Sequence, residues 1–416
     1  MDWTQLTDPE LLKYLSIPVV AAFVGWSTNW LAIKLMFYPV EFLGYKPLLM
    51  GWQGVIPSKA EKMAKVVVEK GLNSLANVSE VYNQIDRTKL ASELTRVMDH
   101  RLNEYIDDVM MAENATLWEN LPNNIRSGIY KSVRKQLPDM ISTMLDDIGT
   151  NIDSMFDLEA MVVEILTNNK ELLNQIFQEA GKEEFKFIIN SGFYFGFLFG
   201  LAQMGVWYFV QEWWMLPLCG LIVGWATNAI ALRIIFEPVN PVKVGPFTIQ
   251  GLFLKRQKEV ARVLCRITTN EVITINNILY AMLTGPRNDR AKKMIQSHVR
   301  RSIDETNSWG MGVGKPLAKS MLGTQGYIDL KMRAADLAIL FAENELLTNQ
   351  AFSDGQKDII EELLRSRMES LSPEEFQEVL RPAFQEDEWK LIVVGAVLGL
   401  AAGFAQLILV FGETIL

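Results

Sequence analysis

Gly25-Trp26-Ser27-Thr28-Asn29-Trp30-Leu31-Ala32-Ile33-Lys34 recurs as Gly224-Trp225-Ala226-Thr227-Asn228-Ala229-Ile230-Ala231-Leu232-Arg233, and each copy runs into a Phe-x-Pro stop at Phe37/Pro39 and Phe236/Pro238. Polar, small and aromatic positions agree in one register, so this is an internal repeat rather than a likeness between two apolar strings, and a repeat governs how the rest of a chain is read. Downstream, Gln53-Gly54 recurs at Gln250-Gly251, each followed by an apolar pair and then by Lys59 or Arg256. The stretch closing each half matches as well: Gly192, Gly196, Gly200, Ala202 and Gln203 correspond to Gly395, Gly399, Gly403, Ala405 and Gln406. Just before them stand Glu184-Phe185-Lys186 and Glu388-Trp389-Lys390.

A helix needs about 20 mostly apolar residues to cross the hydrocarbon core. Four windows qualify, Leu15–Phe37, Ile189–Val210, Trp214–Phe236 and Leu391–Phe411, and the intervening stretches are charged and helical in period. The chain therefore divides into a first transmembrane helix with an interfacial loop (1–59), a helical cytoplasmic domain (60–188), a transmembrane hairpin with a second interfacial loop (189–254), a second helical cytoplasmic domain (255–388) and a last transmembrane helix (389–416). Each half contains two crossings, so both have the same orientation, related by an axis along the membrane normal. The expected fold is an all-α membrane protein of four transmembrane helices in two tandem parallel repeats, each with a helical cytoplasmic domain.

Basic residues near the ends of the spans set the orientation. Lys34, Lys46, Lys59, Lys62 and Lys65 follow the first span, and Arg233, Lys243, Lys255, Arg256, Lys258 and Arg262 follow the third. The turn Gln211–Trp213 and the tail after Phe411 carry neither Lys nor Arg. Both polar blocks are expected in the cytoplasm, with the termini and the tight turn outside. Trp207, Trp213, Trp214 and Trp389 stand near the ends of the spans, where an amphipathic ring prefers the headgroup layer. Asp2, Asp8 and Glu10 precede the first span with only Lys13 basic, and no small-residue cleavage site follows, so that span is expected to be retained.

Composition removes several classes of function. The 416 residues carry 40 Lys plus Arg against 49 Asp plus Glu, a net charge of −9, which disfavours nucleic acid as a partner. Cys219, Cys265, His100 and His298 have no metal-ligand spacing, so no metal or other cofactor is expected. Gly310-Met311-Gly312-Val313-Gly314-Lys315 lacks the spacing of a phosphate-binding loop and reads as a connector. The two histidines lie on charged helical stretches and offer no nucleophile and base pair, so an enzyme is not expected.

The combination of Gly-Trp-x-Thr-Asn-x-x-Ala-Ile-Lys, the Phe-x-Pro stop, the loop Gly54-Val55-Ile56-Pro57-Ser58-Lys59 and the Gly-x3-Gly-x3-Gly-x-x-Gln closing helix resembles the YheB-like bacterial membrane family, catalogued as domain of unknown function 445. The resemblance implies a multi-pass protein of the bacterial cell (inner) membrane with a helical cytoplasmic part; it implies no catalytic residue. In the second loop Leu254 stands where the first has Pro57.

Within the spans, Gly25, Thr28, Asn29 and Ala32 share one helix face, and Gly192, Gly196, Gly200 and Gln203 share another with the small-x3-small spacing that lets backbones approach. Helical rise sets Asn29 near the depth of Gly196 and Gly200 on the neighbouring span, so its amide can donate to a backbone carbonyl there. Two readings follow for Thr28, Asn29, Thr227 and Asn228: interhelical hydrogen-bond glue, or a polar pathway along the axis between the repeats. Gln203 and Gln406, in the outer half, are placed to pair across that axis, with Gly395, Gly399 and Gly403 repeating the small face. Lys34 and Arg233 are read as snorkelling to the interface. With Lys59, Lys62, Lys65, Lys255, Arg256, Lys258 and Arg262 they form a headgroup-facing set for anionic lipids. Leu48-Leu49-Met50-Gly51-Trp52 reads as an interfacial dip.

In the polar blocks Leu94, Val97, Met98, Leu102, Tyr105, Ile106, Val109 and Met110 form one apolar helical stripe, and Ile359, Ile360, Leu363, Leu364 and Met368 another. Such stripes are core; Met110-Met111 and Met140/Met144 also suit an adaptable apolar groove. Ser372-Pro373-Glu374-Glu375 is a helix start. The expected function is a non-enzymatic membrane-anchored platform whose cytoplasmic helices engage the membrane surface or a protein partner. The alternative is a small transporter or lipid-handling protein using a polar path between the repeats.

Overall fold

A computed structural model of the protein describes residues 9–45, 50–72, 78–305, 314–348, 357–385 and 388–415. Four helices are long and apolar enough to cross a membrane, over Lys13–Phe37, Lys182–Phe209, Met215–Phe236 and Glu388–Val410. The first part of the chain runs α1 (Pro9–Phe37), β1 (Leu43–Tyr45), β2 (Met50–Trp52), α2 (Val55–Ser58), α3 (Ala60–Val66), a π-helical turn (Val67–Leu72), α4 (Val78–Gln84), α5 (Arg87–Asn120), α6 (Asn123–Met155), α7 (Leu158–Asn168), α8 (Lys170–Ala180) and α9 (Lys182–Phe209). Then come α10 (Met215–Phe236), β3 (Val242–Val244), β4 (Phe247–Ile249), α11 (Leu252–Lys255), α12 (Gln257–Ile267), a second π-helical turn (Thr268–Val272), α13 (Ile275–Thr284), α14 (Asn288–Glu305), α15 (Gly314–Thr348), α16 (Lys357–Ser370), α17 (Pro373–Gln385) and α18 (Glu388–Ile415).

The Phe-x-Pro stops and the Gln-Gly pairs act together. Proline has no N–H to continue the helix ladder, so α1 makes its last bonds at Tyr38 N–H to Lys34 O (2.9 Å) and α10 at Glu237 N–H to Arg233 O (2.8 Å). The chain then leaves and returns. Gly54 N–H donates to Pro39 O (2.9 Å) and Gln53 Nε2 to Val40 O (2.7 Å); Gly251 N–H donates to Pro238 O (3.0 Å) and Gln250 Nε2 to Val239 O (3.1 Å). A side chain cannot replace either glycine: a Cβ on Gly54 would stand 2.6 Å from the Phe37 carbonyl carbon, and one on Gly251 2.7 Å from Ile235 O.

Between departure and return the chain forms a hairpin, pairing Leu43 with Trp52 in one case and Val242 with Ile249 in the other. The apolar stretch after the first span is therefore in part a β-ribbon, because the paired Gln-Gly closure brings two extended segments side by side. Leu48 and Leu49 of the expected dip lie outside the described residues, as do Gly310–Val313 of the expected connector.

Two compact units divide the chain. One comprises Met1–Ser74, Ile165–Leu264 and Arg367–Leu416; the other comprises Leu75–Glu164 and Cys265–Ser366. Of the stretches 60–188 and 255–388 expected as helical domains, both contribute to the second unit, and the ends of both belong to the unit that holds the apolar helices. The physical reason lies in α8 and α17. Leu172, Leu173, Ile176 and Phe177 of α8 are buried, and Asn174 donates its Nδ2 to Phe37 O at 2.7 Å. Phe376 of α17 is buried and stacks on Phe253 with ring centroids 5.3 Å apart. The start of α17 is a capping box, with Ser372 N–H donating to Glu375 Oε2 (2.8 Å) and Glu375 N–H to Ser372 Oγ (3.2 Å).

In the second unit α5 packs on α6 and α15, and α14 on α6 and α15. Of the first expected stripe, Leu94, Leu102, Ile106, Val109 and Met110 are buried. Polar groups inside find partners, as burial demands: Tyr82 Oη donates to Leu145 O (2.7 Å), Tyr105 Oη to Ala334 O (2.6 Å), and Trp118 Nε1 to Asp107 Oδ1 (3.0 Å). His298 Nε2 lies 2.8 Å from Asp147 Oδ2.

Candidate functional site

The apolar helices meet along two seams of small residues. Between α1 and α9, Gly25 lies directly against the Gly192 carbonyl; a Cβ on Gly196 would stand 2.5 Å from Ala21 O, and one on Gly200 2.6 Å from Pro18 Cα. Between α10 and α18, Gly220 and Gly224 lie directly against the carbonyls of Gly399 and Gly395, while a Cβ on Gly403 would stand 2.5 Å from Leu216 O. Lipid tails are as apolar as the helices, so association rests on such close packing and on interhelical hydrogen bonds.

One asparagine crosses each seam. Asn29 donates its Nδ2 to Ile188 O at 2.8 Å, and Asn228 donates its Nδ2 to Leu391 O at 2.9 Å. Both side chains are buried, and both leave Oδ1 without a hydrogen-bond partner. Asn29 is thus opposite Ile188 and Gly192, about two turns from the Gly196 and Gly200 level expected from the sequence, because α9 starts at Lys182 and carries the span further back. The threonines do not cross. Thr28 Oγ1 donates to Gly25 O (3.2 Å) and Thr227 Oγ1 to Gly224 O (3.3 Å), each within its own helix.

At the far end of the seams, Gln203 and Gln406 are buried, yet Gln406 Nε2 has no hydrogen-bond partner, so the expected pairing of the two amides is not made. Trp207 is also inside, in a cluster with Ile17 and Leu216, whereas Trp213, Trp214 and Trp389 are exposed. The ring of Trp207 is drawn in because Tyr14, Met204, Met215 and Leu407 close around that cluster.

At the other end the basic residues divide into two kinds. Lys34, Lys62, Lys65, Arg233, Lys255, Lys258 and Arg262 are exposed, and Lys59 is half-buried. Lys34 lies over the Trp30 ring at 5.0 Å, Lys65 pairs with Glu61 at 2.8 Å, and Arg233 with Glu237 at 3.0 Å. Arg256 departs from the headgroup-facing set. Its Nη1 grips both oxygens of Glu184 at 2.8 and 2.9 Å, and its Nε donates to Glu259 at 2.9 Å. Glu184 is 4% exposed, so its charge demands a partner inside. The hydrogen bond from Arg256, then its charge, holds the Glu259 carboxyl below the usual carboxylate range, and the two carboxylates keep the Arg256 guanidinium more firmly protonated than usual.

Glu184 was marked in the sequence only by its repeat partner Glu388, and Asn174 by no motif. A signal existed for Asn174: it stands at the same sequence offset from Gln377 as Gly192 does from Gly395, and Gln377 Nε2 reaches Phe236 O at 3.5 Å as Asn174 reaches Phe37 O.

The second unit holds two apolar cavities, of about 120 and 90 Å³, in succession along α5, α6, α14 and α15, with Met98, Met140, Val299 and Ala338 lining both.

No family model and no solved structure matches the chain. A UPF0754 membrane protein of Shouchella clausii is 41% identical over 68 residues, 15% of this chain and 18% of the relative. UPF0754 membrane proteins of two Staphylococcus epidermidis strains are each 26% identical over 116 residues, 27% of this chain and 30% of the relative. The matched stretches thus span less than a third of these relatives. With bacterial relatives named as membrane proteins and four helices of spanning length and composition, the chain is a helical membrane protein.

Proposed function

We propose that this is a YheB-like, multi-pass protein of the bacterial inner membrane, built as two tandem parallel repeats. It works as a non-enzymatic anchored platform whose cytoplasmic helices engage the membrane surface or a protein partner. The observation that carries the reading is the use of the small and polar residues in the spans: Gly25, Gly192, Gly224 and Gly395 are in backbone contact, and the Asn29 and Asn228 amides are engaged across the seams. Groups occupied in holding helices together are an anchor's equipment. The exposed Lys62, Lys65, Lys255, Lys258 and Arg262 suit anionic headgroups at a cytoplasmic surface, each worth about 1 kcal/mol there.

A second reading, a polar path used for transport or lipid handling, draws support from the buried and unpartnered Oδ1 atoms of Asn29 and Asn228. Topology and flux separate the readings. A cysteine at Gln211 and a reporter after Leu416 are expected to read as external; both reading as cytoplasmic would overturn the orientation. Asn29→Ala is expected to weaken the bundle in detergent; unchanged stability with loss of the cellular phenotype would favour the path.

A further inference from the structure

We propose that the two hairpins, β1–β2 and β3–β4, seat their apolar faces in the interfacial layer of the membrane leaflet in which α1 and α10 end, so that a lipid surface is their partner. Directly paired residues of an antiparallel ribbon point to one face, and so do residues two apart on a strand. Leu43 pairs with Trp52, which puts Leu43, Tyr45 and Trp52 on one face of the first ribbon. Gly44 and Gly51 take the opposite face, and the chain covers it itself: a Cβ on Gly51 would stand 2.5 Å from the Phe42 ring. In the second ribbon Val242 pairs with Ile249 on one face, and Lys243 with Thr248 on the other. Leu43 and Tyr45 are 73% and 62% exposed, and Trp52, Val242 and Ile249 are exposed as well. A two-stranded ribbon is marginal in water unless its apolar face packs on something.

Position decides what covers these faces. Trp52 Nε1 donates to Leu35 O at 3.2 Å, so β2 runs beside the last turn of a helix of spanning length rather than away from it. Ile249 stands two residues before Gly251, whose backbone lies against Ile235 O near the end of α10; two residues of strand reach about 7 Å. Both hairpins are at one end of the bundle. Arg256, shortly after the second, binds Glu184, and the adjacent Phe185 packs on Phe37 at the end of α1 with ring centroids 5.3 Å apart. The exposed faces therefore continue from the ends of helices that lipid surrounds. A second copy of the chain suits them poorly, since a stable protein interface takes about 20–30 residues a side and each ribbon offers only a few side chains.

The depth is limited by the backbone. Among the described residues each ribbon has two strands only, so the outer edges are open, and an open edge does not enter hydrocarbon. The ribbons accordingly stop at the headgroup boundary, where the rings of Trp52 and Tyr45 are favoured. Lys243 and Thr248, on the other face of the second ribbon, are left to headgroups and water. This contact is made by strands, beyond the helices of the platform, and it holds for either reading of the spans.

The test uses the full chain with Cys219→Ala, Cys265 being buried, in phosphatidylcholine vesicles. A fluorophore is attached to Tyr45→Cys, Ile249→Cys or Thr248→Cys, all at exposed positions, and to Val397→Cys on the exposed face of α18 as the lipid-facing reference. Two quenchers are compared: phosphatidylcholine spin-labelled near the headgroup end of its acyl chain, and iodide in the water. The lipid quencher is expected to act several-fold more strongly at Tyr45→Cys and Ile249→Cys than at Thr248→Cys, and iodide to show the reverse order. Iodide reaching Tyr45→Cys or Ile249→Cys as freely as Thr248→Cys would place that face in water and overturn the proposal. Shielding of either position from both quenchers would mean that protein covers it, a second copy included, and would overturn it equally. Quenching of Val397→Cys by the lipid in the same vesicles separates a failure of the hairpins from a failure of the spans.

Discussion

Asn29 and Ile188 are joined side chain to backbone, Nδ2 to O at 2.8 Å, and the same bond joins Asn228 to Leu391 at 2.9 Å. Each spans a seam in which glycines have brought two helix backbones together. Without the glycines the amide could not reach the carbonyl, and without the amide each seam would lose a hydrogen bond that crosses it. Close packing and hydrogen bonding therefore support each other at these points.

Asn29→Ala and Asn228→Ala should each cost about 0.6–2 kcal/mol, the range of interhelical hydrogen bonds. Unfolding in mixed detergent measures this. Two variants indistinguishable from wild type would remove the amides from any role in holding the seams.

The glycines should be less forgiving. Gly196→Leu and Gly399→Leu place side chains against Ala21 and Gly220, so both should disrupt the bundle comparably. Phe197→Leu and Ala401→Leu, at exposed positions, should be tolerated. Thermal stability in detergent at the wild-type value for both glycine variants would contradict the seam.

Arg256→Met strands the Glu184 charge in a buried place and should destabilise by about 3 kcal/mol, while adding Glu184→Gln should restore most of the loss. A single-variant loss within about 0.5 kcal/mol, as for an ordinary surface site, would show that the pair is not needed. Glu259, held low by Arg256, favours the folded state above the unfolded carboxyl value of about 4.3, and that contribution disappears as the pH falls through its lower folded value. The acid limb of stability should therefore flatten in Arg256→Met.

Tyr130 and Tyr327 are pushed up to about 12, by burial first and then by hydrogen bonds to Asp107 and Asp304. Their contribution to stability is complete below the unfolded phenol value of about 10 and should be lost as the pH rises through about 12. Spectrophotometric titration should find these phenols ionising late, and Asp107→Asn should bring Tyr130 earlier. A normal titration of Tyr130 in the folded wild-type protein would contradict this.

The membrane class, the four apolar helices and the residues that line their seams were legible in the sequence, since they depend on local quantities: a run of apolar residues, a helical period, a glycine every fourth position. The capping box at Ser372 and Glu375 was legible for the same reason, its two bonds lying within a few residues. The hairpins were not, because Gly54 and Gly251 are decided by what stands opposite them, the ends of α1 and α10.

Tertiary structure alone decided which residues each polar block lends to the second unit, and that Arg256 turns to Glu184 rather than to the surface. A basic residue after a span reads as headgroup-facing wherever only neighbours in sequence are considered. Its direction is set by a buried carboxylate distant in the chain, whose desolvation is relieved only when the folded helices bring the two charges together.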